Sequence, residues 1–319
     1  MASGTTEKRL SPMIILVLVA ALVAVLGMWA AERAGNTSAS TTVNVATGTA
    51  EHFEWKMVTT WPKNFPGLGS AAENFSRMVH EMSDGRLSVH VYGGGEIVPP
   101  LGVFDAVSQG VAQVGHGAAY YWKGKVPSSV FFTAVPFGLN AQEMYGWLHY
   151  GGGLELWEEA YAPFNLVPMA GGSTGVQMAG WFNKEINSME DLQGLKKRIP
   201  GHAGEEFSAA LGPAVTIAGG ELYTSFQTGV IDALEWVGPY NDRILGFQDV
   251  TKYYYYPGWH EPGSILEFIV NGDALAALPQ DLQAIVRHAA RASSQDMLDE
   301  YTARNNEALR ALSEEHGVQ

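Results

Sequence analysis

From Phe53 onward, short apolar runs with strand periodicity alternate with stretches whose apolar residues recur every three or four positions. "FEWKMVTTW" and "RLSVHVY" (86–92) alternate as strands, with a helical stretch between them. In that stretch Ala71, Phe75, Met78, Val79 and Met82 form one stripe. Ser70 followed by Glu73 predicts a capping box at its start. "LGVFDAVSQG" (101–110) and "NAQEMYGWLHY" (140–150) read as helices, and "VAQVGHGAAYY" as a small-residue strand. The pattern repeats in "FNLVPMAGG", "VQMAGWFN", "LKKRIPG", "AVTIAGG", "VIDALEWVG" and "GSILEFIVN", with helices over "HAGEEFSAALG" and "ELYTSFQTG". From Pro279 to about Glu315 the chain is continuously helical. Strands alternating with helices predict an α/β protein built mainly from parallel sheets. Such sheets bind ligands at the carboxyl ends of their strands.

The N-terminus is different in kind. Lys8 and Arg9 precede the uncharged run Met13–Ala31, which at helical rise spans about 28 Å, close to a bilayer core. A basic flank before an apolar core is an export signal. No A-x-A-like cleavage site follows, so a cleaved signal and a retained anchor fit equally. In either case residues 53 onward lie beyond the membrane. Residues 1–34 are therefore expected to be signal or anchor, and 35–52, rich in Thr, Ser and Ala, a flexible linker.

Composition narrows the chemistry. The 319 residues carry 19 basic and 33 acidic side chains, a formal charge of −14, which argues against nucleic acid as the main partner. Without cysteine there is no disulfide, no thiolate metal site and no lipid-anchoring thiol. The nine histidines show no metal-ligand spacing. H-E-x-x-H and a lysine-bearing phosphate loop are both absent.

Glu235 poses a problem. It ends the apolar run "IDALE" beside Trp236, with no basic residue within six positions. A buried carboxylate is costly unless paired, hydrogen-bonded or bound to a cation. Gln177, Arg198 and Glu261 occupy similar expected strand ends. None is specific alone, since Arg198 beside Lys196 and Lys197 also suits a solvated edge. Together they suggest a cavity with one guanidinium, two carboxylates and an amide. Arg binds a small carboxylate in bidentate fashion, and carboxylates with an amide oxygen suit Na⁺, Ca²⁺ or Mg²⁺. A cation shared by Glu235, Glu261 and Gln177 is the expectation that accounts for Glu235.

With these residues in view, the chain from Phe53 resembles the solute-binding receptors of tripartite ATP-independent periplasmic (TRAP) transporters, in the branch that binds 2-oxo acids or lactate with a metal ion. The matching stretches are "VTTWPKNFPG", "GHGAAYYWKGK", "TGVQMAGWFNKEI", "DLQGLKKRIPG", "GGELYTSFQTGVIDALEWVGPYND" and "KYYYYPGWHEPG". The resemblance implies a two-lobed periplasmic-binding-protein-like α/β fold, with the ligand in the cleft between lobes and a long C-terminal helix. The expected division is 53–147 plus 236–272 for one lobe and 148–235 plus 273–319 for the other. The resemblance implies that Arg198 holds the ligand carboxylate. It also implies that Gln177, Glu235, Glu261 and the main-chain carbonyl of Trp236 ligate Na⁺ or Ca²⁺, and that Tyr120 and Tyr121 are wall residues. The implied partners are a small organic anion such as pyruvate and the permease subunits in the membrane. Family members usually continue past the position of Gln319 with a further strand and helices that contribute to pairing. A truncated C-terminus is thus expected, and a homodimer is in question. Rival readings are a receptor for lactate or another organic acid without metal, and an exported metal-dependent lyase or hydrolase using His260 and Glu261.

Overall fold

The computed structural model of the protein describes residues 12–35 and 51–319, which separate into two units, Met1–Ala50 and Glu51–Gln319. In the first, Pro12–Gly35 is one helix of 24 residues. Its described side chains, Met13, Leu16 and residues 19–29, are all exposed. Among the described residues no helix is long and apolar enough to cross a membrane. Most of the expected linker lies outside the described residues.

The second unit carries two five-stranded sheets. The first is ordered β2-β1-β3-β10-β4, from β1 (Phe53–Thr59), β2 (Leu87–Tyr92), β3 (Val114–Gly117), β4 (Leu166–Gly175) and β10 (Ser264–Asn271). The second is ordered β7-β6-β8-β5-β9, from β5 (Gly180–Phe182), β6 (Lys197–Arg198), β7 (Ala214–Val215), β8 (Ala233–Leu234) and β9 (Tyr253–Tyr255). The sheets are mixed, not mainly parallel. β1 pairs in parallel with β2 and β3, and β6 with β7 and β8. β10 is antiparallel to β3 and β4, and β5 to β8 and β9. The antiparallel pairs involve the strands on either side of two crossings between the sheets, at residues 176–179 and 256–263. Every residue of β10 is buried, as a central strand covered on both faces requires.

Two expectations shift here. β4, which the sequence division placed with the second lobe, lies in the first sheet, and β9, placed with the first lobe, lies in the second. The reason is topological: β4 finds its partner only in β10, far along the chain, which order along the sequence cannot reveal. The helix expected to start at Ser70 starts at Leu68 (Leu68–Met82). Its N-cap is Gly67 at φ 73°, and the Ser70 hydroxyl accepts from the Gly67 N–H at 3.1 Å. A Cβ at Gly67 would lie 2.5 Å from the Tyr301 ring, so the cap is glycine on both steric counts. A further helix, Gly153–Tyr161, opens within "GGGLE" (151–155).

The long helix Gln280–Glu314 ties the unit together. Its first half lies on β4 and on Leu68–Met82, and its second half on Pro239–Ile244. Leu282, Val286, Ala289, Ala290, Ser293, Met297 and Tyr301 form the buried stripe at helical spacing. Beyond it the chain returns to the second sheet, where Gln319 exchanges main-chain hydrogen bonds with Lys252 and Tyr254.

Candidate anion and cation site

The parallel pairing of β6 with β8 sets Arg198 opposite Leu234, so Glu235 emerges beside Arg198 at the same sheet edge. Both are fully buried. Arg198 Nη1 donates to the Glu235 carboxylate oxygen Oε1 and, at 2.8 Å, to the Glu235 main-chain oxygen. Arg198 Nε donates to the Ile217 carbonyl and Nη2 to the Tyr121 hydroxyl, each at 3.3 Å. The guanidinium stands 5.1 Å over the Trp236 ring. Glu235 therefore has a basic partner after all. A search within six positions could not find it because it comes from the neighbouring strand.

The two crossings supply the rest. Gln177 sits on the outgoing crossing and His260 and Glu261 on the return, joined where the Gly258 N–H donates to the Gln177 carbonyl at 3.0 Å. His260 Nε2 meets Glu235 Oε2 at 3.3 Å. Glu261 Oε2 accepts from the Ser264 hydroxyl. Gln177 Nε2 donates to Thr174 Oγ1 at 2.9 Å, while its buried Oε1 has no partner among the described residues. Ligand atoms of Glu235, His260 and Glu261 all lie within 4.8 Å of one another.

The charges are arranged asymmetrically. Burial raises the Glu235 pKa, but Arg198 foremost, then His260 and Lys197, hold it below the ordinary carboxylate range. Glu261 is less well compensated, by the Ser264 hydroxyl, Arg198 and Tyr120. Burial and the neighbouring Glu235 charge push its pKa up to about 8. Burial lowers the imidazole of His260. The set holds more carboxylate than cation can satisfy, and it has a spare amide oxygen. Its donors fit a hard cation.

The wall comes from the first sheet. After β3 a single 3₁₀ turn, Ala119–Trp122, presents Tyr120 and Tyr121. Tyr120 lies on Gly201, where a Cβ would come within 3.1 Å of its ring and φ is +69°. Trp61, Tyr121, Gln177, Trp236, Ser264 and Leu266 line a small cavity of about 10 Å³, room for about one water. The structure thus brings together Gln177, Arg198, Glu235, Trp236, Glu261, Tyr120 and Tyr121. The receptor reading of the sequence did not place His260, Thr174, Ser264 or Trp61 there; His260 entered only in the rival enzyme reading, beside Glu261. The signal for His260 was its position beside Glu261; Trp61 stood in the quoted "TTWPKNFPG".

Beneath the site, Asp242 fixes the turn after Glu235. Its carboxylate accepts from the Val237 N–H (3.3 Å), Trp181 Nε1 (3.0 Å) and the Tyr254 hydroxyl (2.7 Å).

Residues 57–319 match the family described as bacterial extracellular solute-binding protein, family 7. A relative from Nostoc sp., a monocarboxylate 2-oxoacid-binding periplasmic protein, is 46% identical over 258 residues, 81% of this chain and 71% of its own length. Among solved structures, a TRAP periplasmic solute-binding protein of Pseudoalteromonas atlantica with bound sodium and pyruvate is 46% identical, with TM-score 0.82 over 84% of this chain and 81% of that one. A TRAP periplasmic solute-binding protein of Colwellia psychrerythraea with bound calcium and pyruvate is also 46% identical, with TM-score 0.81 and the same coverage. The chain belongs to the family 7 extracellular solute-binding proteins, the TRAP receptors, which bind solutes outside the cytoplasm and are not enzymes.

Proposed function

We propose that this receptor binds a short 2-oxo monocarboxylate of the pyruvate type together with Na⁺ or Ca²⁺ and delivers it to the membrane permease. The observation that carries this reading is the fully buried Arg198 beside two carboxylates and the unpartnered Gln177 Oε1, all between the two sheets. The relatives that hold pyruvate with sodium or calcium support it.

In this reading Gln177, Glu235, Glu261 and the Trp236 carbonyl hold the cation, which supplies the positive charge that Glu261 lacks. Arg198 turns from Glu235 toward the ligand carboxylate, and Tyr120, Tyr121 and Trp61 exclude water from the closed cleft. Closure by a ligand touching both lobes shifts the population toward the form that the permease recognises. A dicarboxylate is disfavoured because Glu235 and Glu261 repel its second charge. Lactate keeps the same carboxylate and offers a hydroxyl in place of the oxo group.

The test is thermal melting of the chelator-treated protein with pyruvate, longer 2-oxo acids, lactate or succinate, each with and without Na⁺ or Ca²⁺. Cation-dependent stabilisation by a monocarboxylate is expected. Stabilisation without cation, or by succinate alone, overturns the reading. We read Lys8, Arg9 and the run Met13–Ala31 as the export signal. N-terminal sequencing of the exported protein separates a cleaved signal from a retained tether.

A further inference from the structure

The cluster contains a nitrogen donor for which a hard cation has no use. His260 is 1% exposed, its Nε2 faces Glu235 Oε2 at 3.3 Å, and its Nδ1 has no partner among the described residues. Glu235, His260 and Glu261 each offer a ligand atom within 4.8 Å of the others. Tetrahedral bonds of about 2.0–2.2 Å to one ion place ligand atoms about 3.3–3.6 Å apart, so the three side chains must close on the ion by at most about 1.5 Å. Gln177 Oε1, buried and unpartnered, lines the adjoining cavity as a further oxygen donor. Na⁺ and Ca²⁺ draw on oxygen alone. A neutral imidazole with two carboxylates is instead a donor set for borderline divalent ions.

We propose that the same cation position also takes Zn²⁺, through His260 Nε2, Glu235 and Glu261, in competition with the hard cation. The proposal rests on the receptor reading in one respect: both ions use the same two carboxylates. His260 then acts as a selectivity residue, setting how strongly the site prefers zinc to calcium. Its replacement by Gln substitutes an amide oxygen for the imidazole nitrogen and moves the preference toward hard ions.

The experiment is calorimetric titration of the chelator-stripped full chain with ZnCl₂, in the presence and absence of CaCl₂ plus pyruvate, for the native chain and His260→Gln. One zinc per chain is expected, displaced by calcium with pyruvate. The ratio of zinc to calcium affinity should fall at least about tenfold in H260Q. An unchanged ratio, or zinc binding that calcium and pyruvate do not oppose, overturns the proposal and marks adventitious binding by surface histidines. X-ray absorption on the native zinc-loaded chain does not depend on the variant folding. One imidazole in the zinc shell supports the assignment, and none overturns it. Pyruvate stabilisation by calcium without any zinc binding removes the zinc site alone. Zinc binding lost in H260Q with no pyruvate response to any cation keeps the zinc site and overturns the receptor reading.

Discussion

The two sheets have the same number of strands and are held by different forces. In the first, β10 and β4 pair over eight positions and β1 and β2 over six. Its core is aromatic and aliphatic, with Phe268 stacked between Phe75 and His116 at 4.4 Å on either side. In the second, no pair of strands extends beyond three positions. Side chains take over there. Trp181 stacks on Tyr254 at 4.0 Å, both donate to Asp242, Lys197 Nζ donates to the Ala179 carbonyl at 2.9 Å, and Arg198 holds Glu235. The backbone ladder is shortest where the ligand-binding charges are concentrated. The first sheet is a frame; the second is an arrangement of polar side chains whose stability and binding depend on the same residues.

Replacing Arg198 should have the largest effect, because it breaks both at once. Arg198→Ala leaves Glu235 buried without its main counter-charge, a loss of about 3–5 kcal/mol, and should abolish the anion response in the melting assay. A variant that still binds pyruvate removes Arg198 from the site. Phe268→Ala provides the contrast in the frame. It should cost about 3–5 kcal/mol in urea denaturation while leaving the folded fraction with native cation dependence. A changed cation preference would mean that the frame and the site are not separable.

Next comes pH, through one buried carboxyl in each sheet region. Burial pushes Glu267 up to about 8 from 4.5, and Asp242 up to about 7 from 3.8. Each keeps its proton in the folded protein where the unfolded chain has lost it, so folding takes up protons and stability falls as pH rises. The decline runs from about 4 to about 7 for Asp242 and from about 4.5 to about 8 for Glu267, and it levels off above. Glu267→Gln, which keeps an acceptor for Trp122 Nε1, should reduce the upper part of that slope, which Glu261 shares, when urea midpoints are plotted against pH. Asp242→Asn should remove the lower part. If neither slope changes, these carboxyls are charged in the folded protein. The smallest effect is expected at the cleft mouth. Lys123, on the first lobe, donates to the Gly201 carbonyl at 3.1 Å and to Glu205 at 2.8 Å on the second. The pair is partly exposed, so Lys123→Ala should cost less than about 1 kcal/mol of stability. It should nonetheless speed ligand release measured by stopped flow, because it removes a contact made across the cleft.

The legible parts of the molecule were those governed by local pattern. The stripe from Ala71 to Val79, the alternation in "RLSVHVY" and the continuous helix after Pro279 follow from side-chain periodicity alone, and the structure has all three, although Met82, expected to end the stripe, is exposed. The meeting of Arg198 and Glu235 was not legible, because strand pairing across 37 positions decides it. The resemblance named both residues for the site, but the local reading gave Glu235 only a cation as partner. His260 escaped for a related reason. Its neighbour Glu261 carries the obvious chemistry, and only the geometry of the return crossing turns the imidazole toward Glu235. The lobe boundaries depend on which sheet β4 and β9 join, and nothing in "FNLVPMAGG" or "KYYYY" specifies a sheet.

The position of β10 also bears on how the chain is made and moved. Among the described residues β4 has no strand neighbour other than β10, and β3 is joined to β4 only through it. As the chain grows from its N-terminus, residues 166–175 must wait for residues 264–271, and the long helix that covers them comes later still. The frame cannot close while most of the chain is being synthesised. The strand order keeps the first sheet incomplete until about the last sixth of the chain is available, a delay that suits a receptor working outside the cytoplasm.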